Sequence, residues 1–184
     1  MIVDAAWDVA REVGLGALTL RQVAAKVGMK PPSLYSHFAS KNAIYDAMFG
    51  QAWRDYTGVI EDMEVPREPR AALRLAARTF FEFATADLAR HQLMNVRVIP
   101  DFTPSPESYA FSLEVMDHLF TLLSDIGLRP SEEDADLFVA IVGGLIDAQW
   151  ANDPGGMRYG RLLDRAIDMY ADDLGVPPEP QEEQ

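Results

Sequence analysis

Residues 19–41 read TLRQVAAKVGMKPPSLYSHFASK, and this stretch decides the fold. Leu20, Val23, Ala24 and Val27 recur at i, i+3, i+4 and i+7, one apolar face of a helix, with Thr19 before them as its N-cap. Gly28 follows the last apolar turn, where a left-handed conformation lets the chain reverse. Lys30-Pro31-Pro32-Ser33 then starts a second helix, because proline suits a first turn and no later one. Leu34 and Phe38, one turn apart, pack back on the first helix, which turns Ser33, Tyr35, Ser36 and His37 outward.

The charge pattern says what this outward face meets. No Asp or Glu occurs from Val13 to Tyr45, while Arg21, Lys26, Lys30 and Lys41 all fall there and include every lysine of the chain. A helix-turn-helix puts the start of its second helix in the major groove of double-stranded DNA, where hydroxyls and methyl groups reach base edges and cations hold phosphates. An acid-free interval alone is usually a solvated basic face. Together with the turn and the Pro-Pro start, it points to nucleic acid.

At Leu20 to Val27, Gly28, the run Ser33-Leu34-Tyr35-Ser36-His37-Phe38 and then Ser40-Lys41, the chain resembles the tetracycline-repressor (TetR) family of bacterial transcriptional regulators. The resemblance covers the first quarter to third of the chain; the rest is similar in helix count and general character. It implies that Thr19 and Arg21 contact DNA, that Pro31, Pro32, Ser33 and Tyr35 lie in the groove, and that His37 and Lys41 bind phosphate, with Lys30 among the cations of that face. Unlike the family pattern, Met1-Ile2-Val3-Asp4 enters the first helix at once, without a few basic residues before it.

The 184 residues carry a net charge of −13, which argues against general affinity for nucleic acid. Residues 1–56 hold six basic and five acidic side chains, so the acidity belongs to residues 57–184. An acidic body repels DNA except where the basic face points, which favours one docking orientation. Cysteine is absent, so a reducing cytoplasm is the simplest compartment. The longest apolar run, residues 137–146, is too short to span a bilayer.

The remaining pattern is helical throughout, about nine helices in an all-α fold. Ile2, Ala5, Ala6, Val9, Ala10 and Val13 give a first helix, with Trp7 packed between helices. Ser40 caps a connector helix over 41–61. Beyond it the spacing predicts helices over 70–89, 91–98, 105–126, from Pro130-Ser131 to Trp150, and 157–174. Arg70, Arg74 and Arg78 read as a solvated face pairing with acids of a neighbouring helix. The expected organisation is a DNA-binding domain over 1–45, an effector-binding and dimerisation domain over 46–175, and a disordered tail over 176–184.

His37, His91 and His118 are scattered, and no metal-ligand or nucleophile spacing occurs, so no cofactor, metal or catalytic role is expected. The expected function is a ligand-responsive regulator, a repressor that binds a palindromic operator as a homodimer and is released by a small hydrophobic effector. The alternative is a helical small-molecule-binding protein or enzyme with a vestigial headpiece. Residues 137–146 are apolar on all sides, so Val139, Val142, Gly143 and Ile146, with Leu163, Ala166, Ile167 and Tyr170 of the last helix, are the expected dimer interface, where the resembled family dimerises. Phe80, Phe83, Met94, Phe111, Met116, Phe120 and Trp150 are the expected lining of an effector pocket, with His118, Asp147 and Gln149 as its orienting polar groups.

Overall fold

The computed structural model describes residues 1–125, 127–129 and 131–178, which form nine α-helices with no strand among them. In chain order these are α1 (Ile2–Val13), α2 (Leu20–Lys26), α3 (Pro31–Tyr35), α4 (Lys41–Glu61), α5 (Pro69–Thr85), α6 (Leu88–Asn95), α7 (Pro106–Asp125), α8 (Glu132–Asn152) and α9 (Leu163–Asp173). No described helix is long and apolar enough to cross a membrane.

The helices differ from expectation where local hydrogen bonds override periodicity. The helix expected to reach residue 89 stops at Thr85, whose hydroxyl donates back to the Phe81 carbonyl 2.7 Å away. Asp87 then caps α6 by accepting from the Arg90 amide, so α6 begins three residues earlier than its sequence pattern suggests. Residues 157–159 are not helical. The chain turns there and winds a short 3-10 segment, Gly160–Leu162, before α9. Ile126, at the expected end of α7, and Pro130, before α8, lie outside the described residues; Ser131 caps α8 through a reciprocal pairing with Asp134.

Contacts divide the chain elsewhere than at residue 45. One unit comprises Met1–Gly58 with Asp87–Val115; the other comprises Val59–Ala86 with the described residues from Met116 on. In the first, α1 packs on α2 and α6, and α2 on α3, around Ala6, Val23, Leu34, Ile44 and Met48, all fully buried. In the second, α5 packs on both α8 and α9, closing Leu73, Phe81, Val142, Ile146 and Ile167 into one core. Burying each Leu or Ile side chain contributes roughly 1.5–3 kcal/mol.

The arginine row of α5 is a ladder. Arg70 pairs with Asp172, Arg74 with Asp168 at 2.6 Å and Arg78 with Asp164 at 2.7 Å, all on antiparallel α9. Its lower end is not solvated: Arg70 is 5% exposed. Its guanidinium also donates to the carbonyl of Val176 and, at 2.8 Å, to that of Pro177. Val176 is buried, so the ordered chain passes the expected start of the tail; residues 179–184 of that tail lie outside the described residues.

Candidate nucleic-acid interface

The reading hairpin is assembled by caps. The Thr19 hydroxyl accepts from the Gln22 amide, while the Gln22 side chain accepts from the Thr19 amide at 2.9 Å, which satisfies the start of α2. At its other end Gly28 takes φ +69°, and Met29 N donates to the Ala24 carbonyl at 2.9 Å. Lys30 caps α3, whose first two residues are Pro31 and Pro32. A five-residue helix is too short to be stable by itself; Leu34, fully buried, fastens it to α2. The consequence is an exposed row of Lys30, Pro31, Pro32, Ser33, Tyr35, Ser36 and His37 beside exposed Thr19 and Arg21.

The cations of this face are not equivalent. Arg21 and Lys30 are exposed and enter no ion pair among the described residues. The Lys26 ammonium pairs with Glu12 and lies 3.9 Å from Asp8, both on α1, so its charge is neutralised within the head. Lys41, expected as a phosphate ligand, is partly buried. Its ammonium donates to the Gly16 carbonyl at 2.9 Å and lies 5.3 Å over the Tyr45 ring. A cation held this way braces the turn before α2, because the carbonyl it satisfies belongs to that turn.

Behind the hairpin, α1, α4 and α6 are joined by polar groups. Trp7 Nε1 donates to Gln51 Oε1 at 3.0 Å, and Arg11 pairs with Asp87 at 2.8 Å. Burial raises the pKa of Asp55, with Arg90 and Arg54 opposing the shift; burial lowers that of Arg90, with Asp87 and Asp55 opposing it. The two groups restrain each other.

Residues 2–48, which hold this whole arrangement, match the model of bacterial regulatory proteins of the tetR family. Over those residues the chain belongs to the tetR family of bacterial regulatory proteins. Over 47 residues it is 43% identical to the tetracycline repressor protein class A from transposon 1721 of Escherichia coli. That stretch is 26% of this chain and only 22% of the repressor's own length. The transcriptional activator FasR of Mycolicibacterium smegmatis is similar over 91% of this chain and 74% of its own, at 27% identity. The whole fold is shared with AibR, whose crystal structure holds isovaleryl coenzyme A and operator DNA, at a TM-score of 0.65 and 17% identity over 91% of this chain and 95% of AibR.

Outside the tetR-family domain, the candidate residues fall into several environments. Met94 is buried, and Phe111 lies under the Arg54 guanidinium, 4.6 Å from its ring centre, both in the first unit. Phe80, Phe83, Met116, Phe120 and Trp150 are partly buried in the second unit. Trp150 Nε1 donates to the Ala84 carbonyl at 3.3 Å. His118 and Asp147, expected to orient a ligand inside, are exposed. Asp147 follows Ala140 and Gly144 on the exposed side of α8, since residues three and four apart share a helix face. Gln149 is the buried polar side chain of α8. Its amide donates to Asp153 and its oxygen accepts from the Tyr159 amide at 2.9 Å, which closes the α8–α9 loop.

The expected dimer residues separate in the same way. Val142, Ile146, Leu163, Ile167 and Tyr170 are core of the chain itself, so the seam drawn through them mixes the inner and outer faces of two helices. Tyr170 donates to the Asp134 carbonyl at 2.9 Å, and burial first, then Asp134 and Asp173, pushes its phenol up to about 12. Val139 is exposed, and Gly143 and Ala166 are partly so. The outer face of α8 carries Val139, Ala140, Gly143 and Gly144; that of α9, with the turn before it, carries Leu162, Ala166 and Met169. A Cβ at Gly143 or Gly144 would meet nothing within 4 Å.

Sequence reasoning missed Asp46, Ser105 and Ser108. The Asp46 carboxylate accepts from the Ser105 amide at 2.6 Å and from the hydroxyls of Ser105 and Ser108, each at 2.9 Å. The only signal in the sequence is Ser105-Pro106-Glu107-Ser108, a helix start with serine where a capping-box acid would stand, so its acid comes from elsewhere.

Proposed function

We propose that this chain is a ligand-responsive transcriptional regulator that reads a palindromic operator as a homodimer, one hairpin in each major groove. The observation that carries the reading is the acid-free α2–α3 face inside a tetR-family domain, with Arg21, Lys30, Ser33, Tyr35 and His37 all exposed. Arg21 suits a guanine edge or a phosphate, Tyr35 a base edge, and Lys30 and His37 the phosphates. Exposed Val139, Leu162 and Met169, with the open flank of Gly143 and Gly144, support a second copy on α8 and α9. AibR, of the same fold and crystallised with both isovaleryl coenzyme A and operator DNA, supports an effector of partly apolar character in the body, with Phe80, Phe83, Met116, Phe120 and Trp150 as its contacts.

Repression is the mode we favour, after the class A repressor that shares 43% of the headpiece. Activation is favoured instead by FasR, similar over a longer stretch. A reporter with the operator placed downstream or upstream of the promoter separates the two. Duplexes selected by the full chain from a random pool test DNA reading itself. The chain should enrich a palindrome, and Arg21→Ala with Tyr35→Ala should relax its specificity at a cost of about 1–3 kcal/mol per lost base contact. Unchanged affinity in that double variant refutes the assignment.

A further inference from the structure

The first two turns of α4 hold both the turn that leads into the reading hairpin and the start of α7. On the hairpin side, the Tyr45 hydroxyl donates to the Leu15 carbonyl and Lys41 to that of Gly16. These carbonyls belong to the turn that leads directly into the Thr19 cap. Toward α7, Asp46 gathers three donors from Ser105 and Ser108, and Asn42 donates to the Asp101 carbonyl at 3.3 Å. Asp101 is the one non-glycine residue at positive φ among the described residues, at 59°, so the segment before α7 is held in a conformation that side chains resist.

Two further turns of α4 continue the seat. A Cβ at Gly50 would lie 3.1 Å from Ser108 Oγ, closer than ordinary contact, so glycine lets α7 approach. One turn on, Arg54 covers the Phe111 ring at 4.6 Å. Asp46, Gly50 and Arg54, spaced at i, i+4 and i+8, thus form one stripe for the first two turns of α7. Asp46 is its only carboxylate. A carboxylate that accepts an amide and two hydroxyls makes stronger bonds than neutral acceptors do, so the stripe is strongest at its hairpin end.

We propose that Asp46 is a positioning residue for operator reading: by fixing the start of α7 on α4 it sets the attitude of the α2–α3 hairpin. The proposal rests on the operator-reading function above. It differs in sign from simple electrostatics. Asp46 is the first acid after the acid-free interval, so if it acted only through its charge, removing it would strengthen phosphate binding.

The test uses the full chain and the duplex that the unaltered chain selects from a random pool, at a temperature where circular dichroism shows each variant folded. Asp46→Ala should weaken binding by about 2- to 30-fold, the range expected for loss of a coupling element, and leave the salt dependence unchanged because no phosphate contact is removed. In a Ser105→Ala, Ser108→Ala background the same change should have no further effect. Unchanged or tighter binding by Asp46→Ala, or an equal loss in that background, overturns the proposal. Amide exchange without DNA tests the link if no duplex is selected and the operator reading itself fails. Asp46→Ala should speed exchange at residues 15–19 as well as 105–109; faster exchange confined to 105–109 overturns the transmission.

Discussion

Replacing Arg70 by methionine should destabilise the body far more than the same change at Arg78, although both sit in one ladder. Arg70 is 5% exposed and donates to the carbonyls of Val176 and Pro177 besides Asp172. Methionine keeps most of the volume and removes every donor. Asp172 loses little, because its side chain is 71% exposed and water replaces its partner. The cost comes from the two carbonyls, each losing a bond to a charged donor worth about 1.5–3 kcal/mol, so the sum is roughly 3–6 kcal/mol. At Arg78 both partners are half exposed, 52% and 51%, and such a pair is worth about 0–1 kcal/mol. Arg74 should fall between, with side-chain exposures of 25% and 36% in its pair. Urea unfolding of the three single variants, compared at equal m-values, reads the gradient. If Arg78→Met costs as much as Arg70→Met, burial is not what grades the ladder and the reasoning fails.

The phenol of Tyr170 is pushed up to about 12 from 10, so the folded state holds its proton more tightly. Its contribution is complete below pH 10 and is lost as pH rises toward 12; Tyr170→Phe should flatten the fall in unfolding free energy over that window. Lys30→Ala should reduce the slope of log affinity against log salt by about 1, whereas Lys26→Ala should leave it unaltered because Glu12 and Asp8 already neutralise that ammonium. Equal slopes in the two variants would contradict the division of the cations. The unaltered chain should sediment as a dimer and Val139→Arg with Met169→Arg as a monomer, while Leu163→Ala should lower stability first, Leu163 being core. Dimers persisting in the double arginine variant rule out the α8–α9 face.

The hairpin was legible because every signal in it is local. Thr19, Gly28 and the two prolines each fix a feature within four residues of themselves, and the structure shows those features. The all-α class followed from periodicity for the same reason. What periodicity could not do was assign faces on α8, which is apolar around most of its circumference; which of Val139, Val142 and Ile146 points inward depends on where α5 lies. The α5–α6 boundary was misjudged because Thr85 and Asp87 decide it through side-chain bonds to the backbone, which compete with the apolar repeat. Lys41 looked like a free cation since its acceptor, Gly16, lies 25 positions away. Asp46 carried no visible role because its partners are 59 and 62 positions distant. The acids opposite the arginines were legible in principle: Asp164, Asp168 and Asp172 repeat the four-residue spacing of Arg70, Arg74 and Arg78.

That shared spacing turns the α5–α9 contact into a rack with teeth. Matching charges recur every four residues on both helices, which is about 6 Å of helix axis. A slide of half that distance puts two of the three guanidiniums between neighbouring carboxylates and leaves the third past the end of the row. A slide of one full tooth restores two engagements, Arg70 with Asp168 and Arg74 with Asp164, and strands Arg78 and Asp172 at opposite ends. The two helices therefore have indexed positions along their common axis and no smooth travel between them. Translation of α9 along α5 therefore breaks all three pairs before any re-forms, which opposes sliding of one helix on the other.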